Sequence, residues 1–501
     1  MFQLDNKQFL MTIVLAHFLA VSAISQSYYF NKNLDQGRSE LNTNLLLKDS
    51  FLYTNVLSNV ISNTQTRNTI YKISKQTGVL LDSLQISLDS VIFISRELNI
   101  NDQGDFIVLS EYKNTINDQF CVMFSTIKFD QKEVNHITHC SEVERLVRNS
   151  YQSFDKTSIG VGVSNMNGYS QFYMVELDSS GEILEEHFYG NPGYQVAWSI
   201  AQLPDSGYVI AGWARQSNSF FLDLMLVRTD KDGNQKWMKK YGGPRDDGGG
   251  RHVLVLKNGN ILVTCSRHWE GTNKPENYAM VVRPDNGNII WEKRYFHEHN
   301  SSFYTNAIEQ DDGHIIVGGF KQVFVNTINR LEIYSTITKL DKTGNLVYER
   351  LLYYNPYKQN YLTGLTQDPD GGFWGYGWTF NTNQDGWLIK VDSLGCPFPD
   401  CDSISVSTGE LSSETDICLR AYPNPASQNT IIHYQFSKQV ASPMLEIFDL
   451  HGKLITRLPL NGEAPQGDVW MDLSDWVPGM YVMRIVSQGQ ILATGKMVKG
   501  N

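Results

Sequence analysis

The sequence predicts an all-β fold: a seven-bladed β-propeller followed by a small Ig-like β-sandwich. Three observations predict it. A unit of short apolar strands recurs down most of the chain, its punctuating turns count to seven, and beyond residue 420 strand-like alternation continues without the unit.

The clearest copy is LPDSGYVIAGWARQSNSFFLDLMLVRTDKDGNQKWMKKYGG, from Leu203 to Gly243. Tyr208 to Trp213 reads as a first strand opened by Asp205, Ser206 and Gly207. Asp223 to Thr229 is a second, Asp230-Lys231-Asp232-Gly233 turns it into a third at Gln235 to Tyr241, and Arg251 to Leu256 is a fourth. The Asp-Gly turn returns at Asp178, Asp230, Asp285, Asp341 and Asp392, every 51 to 56 residues, with weaker copies at Asp130 and before Gly78. One four-stranded sheet cannot bury both faces until neighbours cover it, so this period implies a propeller. The repeats stop near Asp392 with the last blade incomplete. Ser27 to Asn31 and Asn42 to Lys48 are expected to complete it, which removes exposed sheet edges.

Before the repeats, Lys7 and the apolar run Phe9 to Ala23 read as a signal peptide, with Ala23-Ile24-Ser25 as the cleavage site and residues 1–25 removed. That run is too short for a membrane span. Residues 26–398 form the propeller, 399–418 a polar linker and 419–501 the sandwich. A net charge of −11, from 53 acidic and 42 basic residues, argues against nucleic acid as a partner.

Six cysteines in an exported chain point to disulfides. In a hairpin centred between Asp130 and Gln131, Cys121 and Cys140 fall opposite one another, which predicts a bridge. Cys396 and Cys401 bracket Pro-Phe-Pro-Asp and could clip the propeller's exit. Cys265 and Cys418 are left over, as buried thiols or reactive ones.

Six strands are expected in the sandwich: 431–436, 445–450, 454–458, 469–473, 481–486 and 491–498. Tyr422-Pro423-Asn424-Pro425-Ala426, then Asp449-Leu450-His451-Gly452-Lys453, then Pro478-Gly479-Met480-Tyr481, and finally Lys496-Met497-Val498-Lys499 stand in order at the end of the chain. This stretch resembles the type A C-terminal sorting domain of the Bacteroidetes type IX secretion system. It departs at Gln428-Asn429, where the family often has an acidic residue. The resemblance implies a route: passage through the outer membrane, partnership with the type IX machinery and its surface peptidase, and release or attachment to anionic lipopolysaccharide at the cell surface.

The propeller itself shows no GxSxG, HExxH or phosphate loop. No catalytic residue, cofactor or metal ligand is assigned. His297-Glu298-His299 reads as an extended segment before a metal site. The Asn381 to Gly386 loop and the Asp230/Asp232 turn read as ordinary turns before calcium loops. Among the aromatics, Trp213, Phe320 and Trp378 recur at one repeat position and read as packing. Trp198, Trp269, Trp374 and Trp387 recur less clearly and are expected to be exposed contacts. The propeller therefore reads first as a binding or adhesion module for glycan or protein. The alternative is a secreted hydrolase or lyase acting on polysaccharide, and a structural surface-layer role comes third.

Overall fold

The structure is a computed structural model. It describes residues 30–397 and 418–500, apart from 35–39, 60–65, 77, 88–90, 115–118, 167, 192, 216–220, 243–249, 269–274, 296–300, 326–329, 355–357, 381–383, 423, 425, 427, 437–438, 450–452, 463–465 and 489. The signal peptide and nearly all of the linker lie outside the described residues, as do His297, Glu298 and His299. The chain divides into two units after Pro397. No helix among the described residues is long and apolar enough to cross a membrane.

The first unit is all-β and propeller-like. Among the described residues it holds seven four-stranded antiparallel sheets. Six are continuous in sequence, over 40–87, 91–141, 144–189, 195–241, 250–295 and 302–352, and we number them 1 to 6. Sheet 7 takes three strands from 360–391 and its fourth, Phe30–Leu34, from the start of the described chain. The repeat as read in the sequence begins one strand late. Gly250–Val255, expected as the fourth strand after Tyr208–Arg215, opens sheet 5 instead. Likewise Glu40–Lys48, expected to help complete the last blade, opens sheet 1, so Phe30–Leu34 alone completes sheet 7.

The first strands of successive sheets contact one another from sheet 1 through sheet 7, and the first strand of sheet 7 contacts that of sheet 1. Apolar clusters fill the spaces between neighbouring sheets. Leu224, Leu226, Val263 and Met280 join sheets 4 and 5, for example, while Leu45, Tyr71, Trp374 and Leu388 join sheets 7 and 1. Recurring polar stitches accompany them. Tyr189, Tyr241 and Tyr295, each closing a fourth strand, donate to the carbonyls of Gly233, Gly287 and Gly344 in the next sheet at 2.7, 2.6 and 2.8 Å. Burial pushes all three phenols well above their ordinary range, so they remain donors.

The recurring turn Asp has a local cause. Asp178, Asp341 and Asp392 each accept backbone N–H bonds through Oδ1 from the residues two and four positions on, at 2.8 to 3.0 Å, and Asp230 does the same. The Gly that follows takes a positive φ of 93°, 73°, 83° and 74° at positions 181, 233, 344 and 395. In sheet 2 the hairpin register pairs Cys121 with Cys140, and the two are joined by a disulfide with Cα atoms 4.1 Å apart. Cys396 is also disulfide-bonded, and Cys401 lies outside the described residues. Cys265 is buried between sheets 4 and 5.

The second unit packs a three-stranded sheet (Cys418–Tyr422, Asn429–Gln435, Gln466–Asp472) and a four-stranded one (Leu454–Pro459, Met444–Asp449, Gly479–Ser487, Gln490–Lys499) around one core. The six expected strands are present within a few residues of their expected bounds. A seventh, Cys418–Tyr422, opens the unit at the linker boundary and was not among the expected strands, because its five residues are too few to show alternation.

Candidate functional site

Two sites emerge, one in each unit. In the first unit the site begins with a repeated backbone irregularity. Each of the seven first strands slips register at the same level. The residues standing out of the ladder are Thr43, Arg96 with Glu97, Arg148, Trp198, Arg251, Thr305 and Thr363 in sheets 1 to 7. The bulge drives a backbone carbonyl of the first strand over the second. A Cβ on Gly162, Gly212, Gly319 or Gly377 would lie 1.8 to 2.3 Å from the carbonyl oxygen of Leu146, Val196, Phe303 or Tyr361. Glycine is therefore required at those four positions, and in three of them an aromatic residue follows: Trp213, Phe320 and Trp378.

In sheets 6 and 7, which are neighbours, these aromatics join into one row. Phe303 stacks on Phe320 with centroids 5.1 Å apart, Phe320 meets the edge of Tyr361 at 4.8 Å, and Tyr361 stacks on Trp378 at 3.8 Å and 22°. All four rings are half-buried, and Phe380, two residues beyond Trp378, is 45% exposed. The row sits at the end of the sheets that carries the second-to-third-strand connections. Two buried carboxylates lie on the third strands of the same two sheets, Glu332, ion-paired with Arg330, and Asp385. Burial, with the Glu332 charge added, raises the Tyr361 phenol. Sheet 4 carries a smaller version, Tyr194 on Trp213 at 4.9 Å with Arg215 4.8 Å over the Tyr194 ring.

The expectation about aromatic exposure needs correcting. Trp374 and Trp387 are wholly buried. Trp374 fills the seam between sheets 7 and 1 and donates from Nε1 to Asp368 at 2.6 Å, while Trp387 packs between sheets 6 and 7. Trp198 is half-buried with the Arg148 guanidinium 5.6 Å over its ring, and Trp269 lies outside the described residues. The recurring Trp213, Phe320 and Trp378 are half-buried, as Trp198 is, and none is as enclosed as Trp374 or Trp387. The Gly-aromatic pair was the signal that could have found the recurring three.

For calcium, the Asp230 carboxylate is engaged by its own turn through Asp232 N, Asn234 N and Asn234 Nδ2 at 2.8 to 3.1 Å. Among the described residues no group of three His, Cys, Asp or Glu side chains is placed to hold a metal ion.

In the second unit the motif residues act on the terminal strand. Asn424 donates from Nδ2 to Lys496 O at 3.0 Å and accepts at Oδ1 from Val498 N at 2.7 Å. Ala426 N adds a bond to Val498 O at 2.8 Å, and Gly500 N returns one to Ala426 O at 2.6 Å. Asp449 Oδ1 caps the turn by accepting from Lys453 N at 2.9 Å, and Tyr481 donates to Val477 O at 2.7 Å, closing the Pro-Gly turn that carries Gly479. Tyr422 pairs with Ile431 in the first sheet, Lys496 is exposed and Lys499 is buried. Pro423, Pro425 and Gly452 lie outside the described residues. Asn424 and Ala426 thus hold the strand Gln490–Lys499, while Asp449 and Tyr481 close their own turns.

Residues 420–500 match the secretion system C-terminal sorting domain. This is the type IX sorting domain, and it marks the chain as a secreted or cell-surface protein that engages the type IX machinery. No curated protein is similar to the chain in sequence. Among solved structures it is similar to a polysaccharide lyase, PL25-Ulvanlyase (8% identity, 75% of this chain and 98% of that one, TM-score 0.49). It is also similar to the β-propeller domain of the Trilobed protease from Pyrococcus furiosus (10%, 73% and 96%, 0.41). A third is an α-L-arabinanase from Penicillium chrysogenum complexed with arabinobiose (8%, 74% and 99%, 0.40).

Proposed function

We propose that this chain is an exported glycan-binding protein whose seven sheets form a closed seven-bladed β-propeller, followed by an Ig-like sorting domain. The ring of contacting first strands, with Phe30–Leu34 completing sheet 7, supports the closed propeller. The row Phe303, Phe320, Tyr361 and Trp378 carries the glycan reading. Half-buried aromatic faces held rigid by their neighbours offer apolar contact to the C–H faces of sugar rings. Polar groups beside such a surface orient the ligand. The export route includes removal of residues 1–25, cleavage of the sorting domain by the surface peptidase, and release or attachment to anionic lipopolysaccharide.

A glycan array probed with the secreted protein, followed by titration of the best hit, tests this reading. Trp378→Ala should weaken binding at least about tenfold, the scale of a buried aromatic anchor, while leaving the melting temperature near wild type. Unaltered affinity would remove the row from the site. A second reading, a polysaccharide hydrolase or lyase, is favoured by one observation. Glu332 and Asp385 stand buried on the third strands of the two sheets that carry the row. New reducing ends or unsaturated products on the array's best polysaccharide, abolished by Glu332→Gln, would select it.

A further inference from the structure

Resting on the glycan reading, we infer that the ligand is acidic, a uronate- or sulfate-bearing glycan, and that Arg148 at the axis of the ring is the anchor for its charge. The argument starts from the bulges. By register, sheets 2, 3 and 5 place arginine there, Arg96, Arg148 and Arg251, and sheet 4 between them places Trp198. Sheets 6, 7 and 1 place Thr305, Thr363 and Thr43. By register, the bulges of one arc of the ring are the ones that hold arginine, with Glu97 beside Arg96 in sheet 2, and those of the other arc hold threonine, in a chain whose net charge is −11. The aromatic row belongs to sheets 6 and 7, on the threonine arc.

Arg148 is the arginine among them whose side chain the structure describes. Its guanidinium lies 5.6 Å over the Trp198 ring in sheet 4 and 3.5 Å from Glu111 in sheet 2. A side chain rooted in sheet 3 that reaches both neighbouring sheets does so on the axis side, where first strands converge. Its side chain keeps 26% of its surface exposed, while its Nε is buried. Stacking on Trp198 holds the guanidinium plane in place, which suits paired donation to a planar carboxylate or a sulfate. Thr305, on the opposite arc, is committed to the structure, donating to Leu362 O at 2.9 Å.

The test is calorimetric titration of the full secreted protein with three tetrasaccharides: a galacturonate oligomer, a sulfated galactan oligomer and a neutral galactan oligomer. At least one acidic oligomer should bind at least about tenfold tighter than the neutral one, the scale of one charge-assisted hydrogen bond. Whichever acidic oligomer binds tighter names the group. Arg148→Gln should abolish that preference and leave neutral binding unchanged. Because this change also strips Glu111 of its cation, the double variant Arg148→Gln with Glu111→Gln repeats the test with no buried charge left over. Persistence of the preference in both variants, or tighter binding of the neutral oligomer, overturns the inference while glycan binding stands. If no oligosaccharide binds, or an acidic peptide binds in their place, the glycan reading falls and this inference with it.

Discussion

Asp368 is a buried carboxylate and Glu176 a half-buried one, and their surroundings push them in opposite directions. Asp368 accepts from Trp374 at 2.6 Å and from Lys75 at 2.9 Å, with Lys390 3.3 Å away. Burial pushes its carboxyl up, but the indole and the two ammonium groups more than offset this and hold it below the usual range. Lys75 comes from sheet 1 and Asp368 from sheet 7, so the ion group spans the seam where the two ends of the ring meet. Glu176, in sheet 3, is pushed up to about 7 by burial and then by the charges of Glu185, Asp155 and Asp232. Its native value lies above its unfolded one, so the native state favours the protonated form. That contribution is complete below about pH 4.5 and is lost as pH rises through about 7. Glu176→Gln should therefore stabilise the protein at pH 8, by about 1–2 kcal/mol, and leave it unchanged at pH 4. Denaturant unfolding at the two pH values measures it, and an equal effect at both would contradict the assignment.

The element that organises the first unit is the bulged first strand with its glycine partner. Gly377→Ala places a Cβ 1.9 Å from Tyr361 O, where only backbone displacement can make room. The substitution should destabilise by about 1–3 kcal/mol, read as a lower denaturant midpoint. An unchanged midpoint would mean that the bulge relaxes freely. Strands and turns at this scale were legible in the sequence because their causes are local: alternation sets the strands, and the Asp-Gly turns satisfy their own backbone. The Cys121–Cys140 pairing was legible for the same reason, since one hairpin sets its register. Sheet membership was not, because Gly250–Val255 follows sheet 4 in sequence but joins sheet 5 in space. Nor was the aromatic row. It depends on a bulge in a different strand and on two sheets meeting, whereas Trp374 is buried by a sheet more than 300 residues away in sequence. The sorting motifs were readable as a family pattern, yet Asn424 holding the backbone of Lys496 and Val498 shows only in the folded unit.

At the scale of the whole molecule, a propeller-like unit and an address are carried on one chain, with separate cores. The Asn424 clamp on the terminal strand implies that the last residues are held in a defined form when the machinery meets them. Deleting Lys496 to Asn501 should leave the first unit folded but retained inside a host that has the type IX system, as fractionation would show. Normal secretion of that deletion would contradict the role given to the clamp. The central claim, that the first unit binds glycan on its aromatic row, is tested most directly by a crystal structure of the secreted protein with its best array ligand. The account predicts a sugar ring stacked on Trp378, Tyr361 or Phe320, about 4 Å from the aromatic plane. A ligand bound elsewhere, with those rings untouched, would contradict it.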